Sequence, residues 1–259
     1  MREFGDPSAA GAPARVLPWL DAGGQPPALR LFCFAHAGGG AAAFRPWVTG
    51  GRRTPVQVCP VRAPGRESRW DEPRLDRVAD LAEDFLRAAA PLLSTPFALL
   101  GNSLGSLVAF EVARRLADRG LPAPVHLLVG ASPPPGVEAR RLRLSGLSDA
   151  EFTDELQRRY GGIPDVIRDD PDLLREYLPT LRSDVAAVEG YRPAPEPLLG
   201  CPVTALVGVD DASVPVDEVA GWREWTSGPF TRQLLPGGHF TVLDHRDLVL
   251  DLLGSVRVH

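Results

Sequence analysis

The stretch FALLGNSLGSLVAFEVARRL, Phe97 to Leu116, contains the turn that decides the fold. An apolar, strand-like run ends in GNSLG (residues 101–105), and a helix-like segment follows without a break. A strand that turns into a helix over so few residues holds the serine in strained backbone geometry at the carboxyl edge of a sheet, beside the first amides of the helix. The pattern indicates a nucleophile at Ser103, and the alternative is an idle serine in a glycine-lined turn.

Buried strands alternate with amphipathic helices on both sides of this turn. Besides the strand before Ser103, apolar runs predict strands over residues 29–36, 55–61, 125–131, 201–209 and 230–236. Helices are predicted over residues 77–93, from Ser103 to about residue 119, around residues 216–226 and over residues 247–258. This alternation is typical of an α/β fold with a mainly parallel central sheet flanked by helices.

One long region interrupts the alternation. Residues 138–197 carry a charged, proline-interrupted helical pattern with no convincing strand, which predicts a helical lid inserted over the edge of the sheet. Residues 1–28 are rich in Gly, Pro and Ala and are predicted to form a loose lead-in. Residues 29–259 are therefore expected to form a single domain that includes the lid.

Composition excludes several classes of function. The 259-residue chain has a formal net charge of -5, which gives no reason to expect nucleic acid as a partner. No apolar run approaches the roughly 18 residues of a membrane span, and the N-terminus lacks the apolar core of a secretory signal, so we expect a cytoplasmic protein. Cys33, Cys59 and Cys201 are scattered without CxxC pairing and are predicted to be reduced and buried.

A nucleophilic serine needs a base, and His239 is the favoured candidate. It lies in LLPGGHF, where a glycine turn follows the last predicted strand and lets a side chain swing over the sheet edge. Of the other histidines, His36 lies in the glycine-rich segment discussed below. His126 begins a strand, His245 is expected in a solvated, helix-starting turn, and His259 is the terminal residue.

The acid is expected at the end of the strand before residue 210. ALVGVDDASVP supplies Asp210 and Asp211 there, and only one of two adjacent side chains can reach His239. We favour Asp211, because Asp-x-x-Val resembles the acid turn of α/β-hydrolases, with Val214 packing back. Asp210 remains the alternative, and its plain interpretation is a turn carboxylate that binds local amides. The chain order serine, acid, histidine is the one that α/β-hydrolases use.

A second glycine-rich segment, FAHAGGGAAAF (residues 34–44), follows the first predicted strand. Its glycines would let the main chain approach a reacting carbonyl, and the amide of Leu104 is the expected partner donor for a tetrahedral oxyanion. A phosphate-binding loop is disfavoured because the Gly-Lys-Ser/Thr ending is absent. A plain flexible loop remains the alternative.

Six segments occur in one order and carry a family resemblance: LFCFAHAGGGAAAFRPW, APGRESRWDEP, GNSLGSLVAFEVARRL, GGIPDVI, LPTLRSDVAAVEGYRP and LPGGHF. Together they strongly resemble the type II thioesterases that accompany polyketide and non-ribosomal peptide synthases. The resemblance runs from about Leu31 to Leu253. The PGRE and LRSD segments make it more specific than GxSxG alone, because they are not general hydrolase features.

The resemblance implies an α/β-hydrolase fold with a helical lid and a serine thioesterase activity. Its implied substrates are acyl thioesters on the phosphopantetheine arm of acyl or peptidyl carrier domains, hydrolysed in trans without a cofactor or metal of the enzyme's own. Carried over residue by residue, the nucleophile is Ser103, the acid Asp211 and the base His239. The oxyanion donors would be the amides of Ala37 and Leu104. We expect a monomer.

The chain departs from the family's common Gly-His-Ser-Met-Gly-Ala at Asn102, Leu104 and Ser106. Leucine for methionine nearly conserves volume, so we expect little effect from Leu104. Asn102 is expected to alter the shape of the acyl pocket, and it joins His36, Tyr160 and Tyr177 as a candidate substrate-binding residue.

Further pocket candidates are apolar residues of the lid, which either line an acyl channel or pack the lid onto the body: Tyr160, Ile163, Val166, Ile167, Leu173, Leu174, Tyr177 and Leu178. Arg62, Arg66 and Arg69 either meet an acidic carrier protein or the phosphate of its arm, or pair locally, as Arg66 could with Glu67.

Two other functions remain open on the sequence. One is a carboxylesterase or lactonase acting on small molecules, since a fold does not determine its substrate. The other is a non-catalytic protein of the same fold that binds acylated carriers.

Overall fold

The computed structural model describes residues 12–20, 26–50, 54–137, 141 and 143–254. Its centre is a parallel sheet of six strands in the order β2-β1-β3-β4-β5-β6. The strands are β1 Leu29–Phe34, β2 Val56–Pro60, β3 Phe97–Asn102, β4 His126–Gly130, β5 Val203–Gly208 and β6 Phe230–Leu235. The predicted parallel sheet is therefore confirmed, and each predicted strand lies within two residues of its observed ends.

Helices cover both faces of the sheet. The described α-helices are α1 Ala12–Val16, α2 Arg45–Thr49, α3 Val78–Ala89, α4 Leu104–Asp118, α5 Asp149–Tyr160, α6 Asp165–Arg168, α7 Pro171–Gly190 and α8 Arg246–Gly254. Shorter 3-10 helices span Ala41–Phe44, Glu67–Arg69, Ala90–Leu92, Glu218–Trp225 and Thr241–Asp244. The helix expected around residues 216–226 is thus a 3-10 helix, and the final helix is described only as far as Gly254.

Two apolar cores result from the alternation of side chains along the strands. Phe32 and Phe34 of β1 pack on one face with residues of α3, α4 and α7, whereas Leu31 and Cys33 pack on the other face with residues of α2 and α8. All three cysteines are buried free thiols, as predicted.

The order of the strands determines where a site can form. The chain runs from β1 to β2 on one side and then returns to place β3 on the other side of β1. Loops that follow β1 and β3 therefore leave the carboxyl edge of the sheet side by side and in opposite directions. A crevice at such a switch point is where open parallel sheets bind ligands.

The insertion between β4 and β5 is helical in its described part. It contains α5, α6 and α7, and Phe152, Leu156, Leu178, Leu181 and Val185 join the core on the α4 side. Residues 138–140 and 142, at its expected start, lie outside the described residues. No helix among the described residues has the length and apolar character needed to cross a membrane.

The segment before β1 differs from the loose lead-in that composition suggested. Residues 12–16 form α1, and Val16 and Leu17 are 4% and 1% exposed in the core beside α3. The backbone of Arg62 donates a hydrogen bond to the Val16 carbonyl at 2.7 Å. Two apolar residues within a Gly/Pro/Ala-rich stretch are enough to fix this segment, because each buries a full side chain. Residues 1–11 and 21–25 lie outside the described residues.

We predict that Leu17→Ala destabilises the fold by about 2–5 kcal/mol, because it leaves a cavity under a fully buried leucine. Urea unfolding followed by circular dichroism measures the change. Leu121→Ala is the matched control: this leucine is 44% exposed, so its removal should alter stability by less than about 0.5 kcal/mol. Equal effects of the two changes would contradict the packing of residues 12–20.

Candidate functional site

Ser103 stands at the turn between β3 and α4 with φ +54° and ψ -119°. Positive φ is uncommon for a residue other than glycine and marks a strained turn. The turn is possible because backbones meet here without side chains between them. A Cβ on Gly101 would lie 2.2 Å from the backbone of Gly105, and one on Gly105 would lie 2.1 Å from the Phe34 carbonyl oxygen. The predicted geometry of the turn is observed.

Ser106 fastens this turn to the neighbouring strand. Its buried hydroxyl lies 3.0 Å from the Gly101 carbonyl and 2.9 Å from the Gly130 carbonyl, and it accepts from the Gly130 amide at 3.1 Å. The Ser103 amide also donates to the Gly130 carbonyl at 2.8 Å. The departure from the family pattern at Ser106 therefore places an additional polar tie between α4 and β4.

His239 meets Asp211 as the sequence predicted. Its Nδ1 lies 2.8 Å from Asp211 Oδ2, and both side chains are buried. Ser213, which the sequence reasoning missed, donates its hydroxyl to Asp211 Oδ1 at 2.5 Å and its amide to the same atom at 2.9 Å. The Ser213 hydroxyl also lies 3.0 Å from His239 Nδ1. The available signal was Asp-x-Ser, a pattern in which an aspartate binds the backbone two residues on.

These contacts keep the Asp211 carboxylate charged. Burial by itself would raise its pKa, but the hydrogen bond from His239, the charge of that ring and the hydrogen bonds from Ser213 together hold the pKa of Asp211 below its ordinary value. A charged carboxylate on Nδ1 leaves Nε2 as the atom of His239 that can accept a proton.

Asp210 is a turn carboxylate that binds a nearby amide, which is the plain interpretation given above. Its side chain is exposed, and its Oδ2 accepts from the Gly237 amide at 3.2 Å. The backbone amide of Asp210 donates in turn to the Gly237 carbonyl at 3.0 Å. Asp210 therefore ties the turn after β5 to the glycine turn before His239.

Ser103 and His239 line one largely apolar cavity, which together with its open mouth encloses about 710 Å³. The remaining lining residues come from the loops after β1 and β4, from α4 and α5, from the segment after α5, from α7 and from the turns after β5 and β6; they are His36, Ala37, Leu104, Leu107, Ala131, Ser132, Pro133, Leu156, Tyr160, Gly162, Ile163, Leu181, Val185, Val188, Val214 and Phe240. Among the described residues, no hydrogen bond joins the Ser103 hydroxyl to His239. In free enzymes such catalytic contacts are often long and tighten when substrate binds.

Two backbone amides in the wall of the cavity are candidate oxyanion donors. Ala37 and Leu104 both line the cavity, and neither amide donates to an acceptor within the described part of the chain. Leu104 is the first residue of α4, where an amide has no partner inside the helix and lies at the positive end of the helix dipole.

The loop that carries Ala37, residues 35–40 and here called the glycine loop, is held by two charged side chains. Asp184 of α7 accepts from the Gly38 amide at 2.7 Å, and Arg66 donates to the Gly39 carbonyl at 2.7 Å. Just beyond the loop, Glu67 accepts from the Ala42 amide at 2.8 Å. Asp184 belongs to the LRSD segment, and Arg66 and Glu67 belong to the PGRE segment, so the two segments that made the family resemblance specific converge on this loop.

Two of the four candidate substrate-binding residues lie in the cavity wall. The Tyr160 ring is 4.8 Å from the His239 ring, and the His36 ring is 4.7 Å from the Phe240 ring. Asn102 does not line the cavity: its side chain is fully buried, with no hydrogen-bond partner for its amide atoms among the described residues.

Tyr177 is also outside the lining. It packs against the glycine loop: a Cβ on Gly38 would lie 1.9 Å from the Tyr177 hydroxyl. Burial, reinforced by the charge of Asp184, raises the pKa of Tyr177 to about 12. The observed role of this ring is therefore packing against the glycine loop.

The apolar lid residues divide between the two roles that the sequence offered. Tyr160 and Ile163 line the cavity, Val166 and Leu173 are exposed, and the others pack against the core: Ile167, Leu174, Tyr177 and Leu178. The sequence reasoning missed the larger apolar contribution of α7, which is made by Leu181, Val185 and Val188. Their helical spacing was the available signal.

The three arginines considered for carrier binding are paired within the chain. Arg66 forms a two-pronged ion pair with Asp184, and Arg62 binds Glu67 at 2.7 Å. Arg69 pairs with acidic side chains on two elements, Glu72 and Asp84. Pairing within the chain is thus observed for all three, but Arg66 pairs with the distant Asp184 and not with the adjacent Glu67.

Comparisons with known proteins agree with this geometry. The family profile described as "Thioesterase domain" matches residues 29–255. Thioesterase PikA5 of Streptomyces venezuelae is 41% identical over 218 residues, which cover 84% of this chain and 76% of PikA5.

Two solved structures are similar to this chain over almost its whole length. The RedJ thioesterase from the prodiginine biosynthetic pathway in Streptomyces coelicolor has a TM-score of 0.78 at 35% identity and covers 93% of this chain and 96% of RedJ. The type II thioesterase BorB from the borrelidin biosynthetic cluster has a TM-score of 0.77 at 37% identity, with coverages of 90% and 94%. With its α/β-hydrolase fold, the chain belongs to the thioesterase family.

Proposed function

We propose that this protein is a type II thioesterase that hydrolyses acyl groups from the phosphopantetheine arm of carrier proteins, with Ser103 as nucleophile, His239 as base and Asp211 as acid. The observation that carries the proposal is the 2.8 Å contact between His239 and Asp211 beside a strained serine in one cavity. This is the arrangement that nucleophilic catalysis by serine requires.

The reaction proceeds in two halves. His239 Nε2 takes the proton from the Ser103 hydroxyl as its oxygen attacks the thioester carbonyl, and the amides of Ala37 and Leu104 bind the oxyanion. Collapse of this intermediate breaks the carbon–sulfur bond, and the proton on His239 passes to the departing pantetheine sulfur. A water molecule, deprotonated by His239, then attacks the acyl-enzyme carbonyl. The bond to the serine oxygen breaks, the carboxylic acid leaves, and His239 returns the proton to Ser103.

His239 is the base even though His36 lines the same cavity. Burial, followed by the nearby charges of His239 and Arg66, lowers the pKa of His36 from 6.5 to about 4. Its Nδ1 is buried without a hydrogen-bond partner in the described residues, and no carboxylate supports the ring as Asp211 supports His239. Neutral His36 is thus a weak base and leaves proton transfer to His239.

Carrier-bound thioesters are the proposed substrates because the chain is similar to BorB, a type II thioesterase, and to the thioesterase PikA5. The apolar cavity suits an acyl chain, and a thiol is a good leaving group. Hydrolysis of small esters or lactones, and binding without turnover, are the competing functions. The monomeric state, the cytoplasmic location and the independence of cofactors and metals remain predictions.

We predict that Ser103→Ala abolishes release of the acyl group, with a loss of at least about 10³-fold in turnover. Intact-mass spectrometry of a propionyl-loaded carrier protein measures the conversion to free holo-carrier. Ser94→Ala, at an exposed serine after the 3-10 helix at Ala90–Leu92, is the matched control and should retain full activity. If wild-type protein leaves the acyl-carrier intact but cleaves small esters, the substrate assignment is wrong; if it cleaves neither, the protein binds without turnover.

We predict that Asp211→Asn lowers kcat about 10⁴-fold without unfolding the protein, because an amide cannot hold the correct tautomer of His239 or stabilise its charged form. Turnover of a propionyl-N-acetylcysteamine thioester, with circular dichroism on the same sample, measures both effects. Asp210→Asn should stay within about threefold of wild type. Similar losses in the two variants would refute the assignment of Asp211.

We predict that His36 makes the fold more sensitive to acid. Its folded pKa of about 4 lies below its ordinary value of 6.5, so between these values the unfolded chain binds more protons and stability falls as the pH falls. From pH 7 to pH 5 this residue accounts for a loss of about 2 kcal/mol.

His36→Gln tests this pH dependence, because glutamine does not titrate. Urea unfolding at pH 7 and pH 5 should show the variant losing about 2 kcal/mol less than wild type over the interval. Equal losses in the two proteins would mean that His36 is not held neutral by its surroundings.

A further inference from the structure

Asp184 and Arg66 form a buried ion pair whose two members also bind the glycine loop. Asp184 is 0% exposed; its Oδ1 accepts from Arg66 Nη2 at 2.7 Å and its Oδ2 accepts from Arg66 Nη1 at 2.9 Å. Oδ2 also accepts from the Gly38 amide, and Nη1 also donates to the Gly39 carbonyl, each at 2.7 Å. Each charge is therefore balanced by the other and by one backbone group of the loop.

These contacts determine where the Ala37 amide points. The Gly39 amide donates to the His36 carbonyl at 2.9 Å. That carbonyl shares a planar peptide with the Ala37 amide, and the two groups of a trans peptide point in opposite directions. Asp184 holds the peptide before Gly38 through the Gly38 amide, and the His36 carbonyl holds the peptide after Gly38 through the Gly39 amide. Arg66 holds the next peptide through the Gly39 carbonyl, and Gly38 has a φ of +75°.

The helix that supplies Asp184 also supplies the acyl-contacting wall. Leu181, Val185 and Val188 of α7 line the cavity one turn before, beside and one turn after Asp184. A shift of α7 away from the sheet would therefore withdraw the apolar wall and the anchor of the glycine loop together.

Resting on the function proposed above, we infer that Asp184 is a positioning residue that couples the acyl-contacting face of α7 to the oxyanion-binding Ala37 amide. Packing of an acyl group against α7 stabilises the helix position in which Asp184 holds the glycine loop. Part of the binding energy of the acyl chain then stabilises the transition state. A longer acyl chain therefore raises kcat more than it lowers KM.

The first test compares Asp184→Asn with wild type on acetyl-, propionyl- and hexanoyl-N-acetylcysteamine thioesters. Asparagine keeps the shape but removes the charge that orders Arg66 and the Gly38 amide. We expect kcat to fall about 10²-fold with KM within about threefold, since loss of one oxyanion donor costs about 10²- to 10³-fold. The rise of kcat with chain length in wild type should be absent in the variant.

Inhibition by propylboronic acid gives a second readout, because its tetrahedral adduct with Ser103 places an oxygen where the oxyanion forms. The inhibition constant should rise with the fall in kcat in Asp184→Asn. A purely structural role of Asp184 would instead change stability and the active fraction while leaving the inhibition constant of the active molecules unchanged.

Two further variants separate positioning from folding. Arg182→Gln breaks the ion pair of α7 with Asp149 of α5 but leaves the glycine loop untouched, and it should retain kcat. The double change Asp184→Leu with Arg66→Met removes both buried charges, so it should recover stability relative to Asp184→Leu alone while kcat stays low.

The outcomes distinguish this inference from the proposed function. Activity in wild type that is lost in Ser103→Ala supports the proposed function whatever Asp184 does. If Asp184→Asn then keeps wild-type kcat and the wild-type inhibition constant, the coupling through Asp184 is refuted and α7 merely covers the cavity.

Discussion

The site depends on a backbone constraint, the close approach of β3, α4 and the end of β1 at Ser103. Gly101 and Gly105 have no room for a Cβ, since the nearest backbone atoms would lie about 2 Å away. This contact lets α4 begin immediately after the strand, and it forces the serine between them to a φ of +54°. Leu104 follows Ser103 as the first residue of α4, so the same packing places the proposed nucleophile and one proposed oxyanion donor.

The second half of the site combines side-chain packing, in which the Tyr177 ring lies against Gly38, with a buried pair of charges. The glycine loop contains three consecutive glycines, which bring flexibility as well as close approach. A buried ion pair is a weak source of net stability, because desolvation offsets most of the attraction. The Arg66–Asp184 pair instead orders the loop. Each ion can form more hydrogen bonds than its partner ion provides, and the backbone of Gly38 and Gly39 provides the additional ones. The loop is ordered because the ions would otherwise be under-bonded.

Sequence patterns were sufficient for the parts of the molecule that depend on local periodicity. Short apolar runs bounded by turns predicted all six strands. The positions of Ser103, Asp211 and His239 shortly after predicted strands placed all three at one edge of the sheet. Ion pairs between residues far apart in the chain could not be predicted from the sequence in the same way. An aspartate in the apolar stripe of α7 required a buried partner, but nothing local said that Arg66, more than a hundred residues earlier, would provide it. Asn102 is fully buried outside the cavity lining, although it directly precedes Ser103 in the chain.

The two histidines of the cavity show how surroundings, and not residue type, assign a chemical role. Both rings stack edge-on against Phe240, at 4.7 and 5.0 Å, and both line the same space. His239 has a carboxylate on Nδ1 that is itself held charged by its hydrogen bonds, so a proton arriving at Nε2 is stabilised. His36 has no such partner, and its burial beside Arg66 and His239 lowers its pKa to about 4. His239 therefore has the partner that a proton acceptor needs, while His36 stays neutral and avoids placing a second positive charge beside the proposed base.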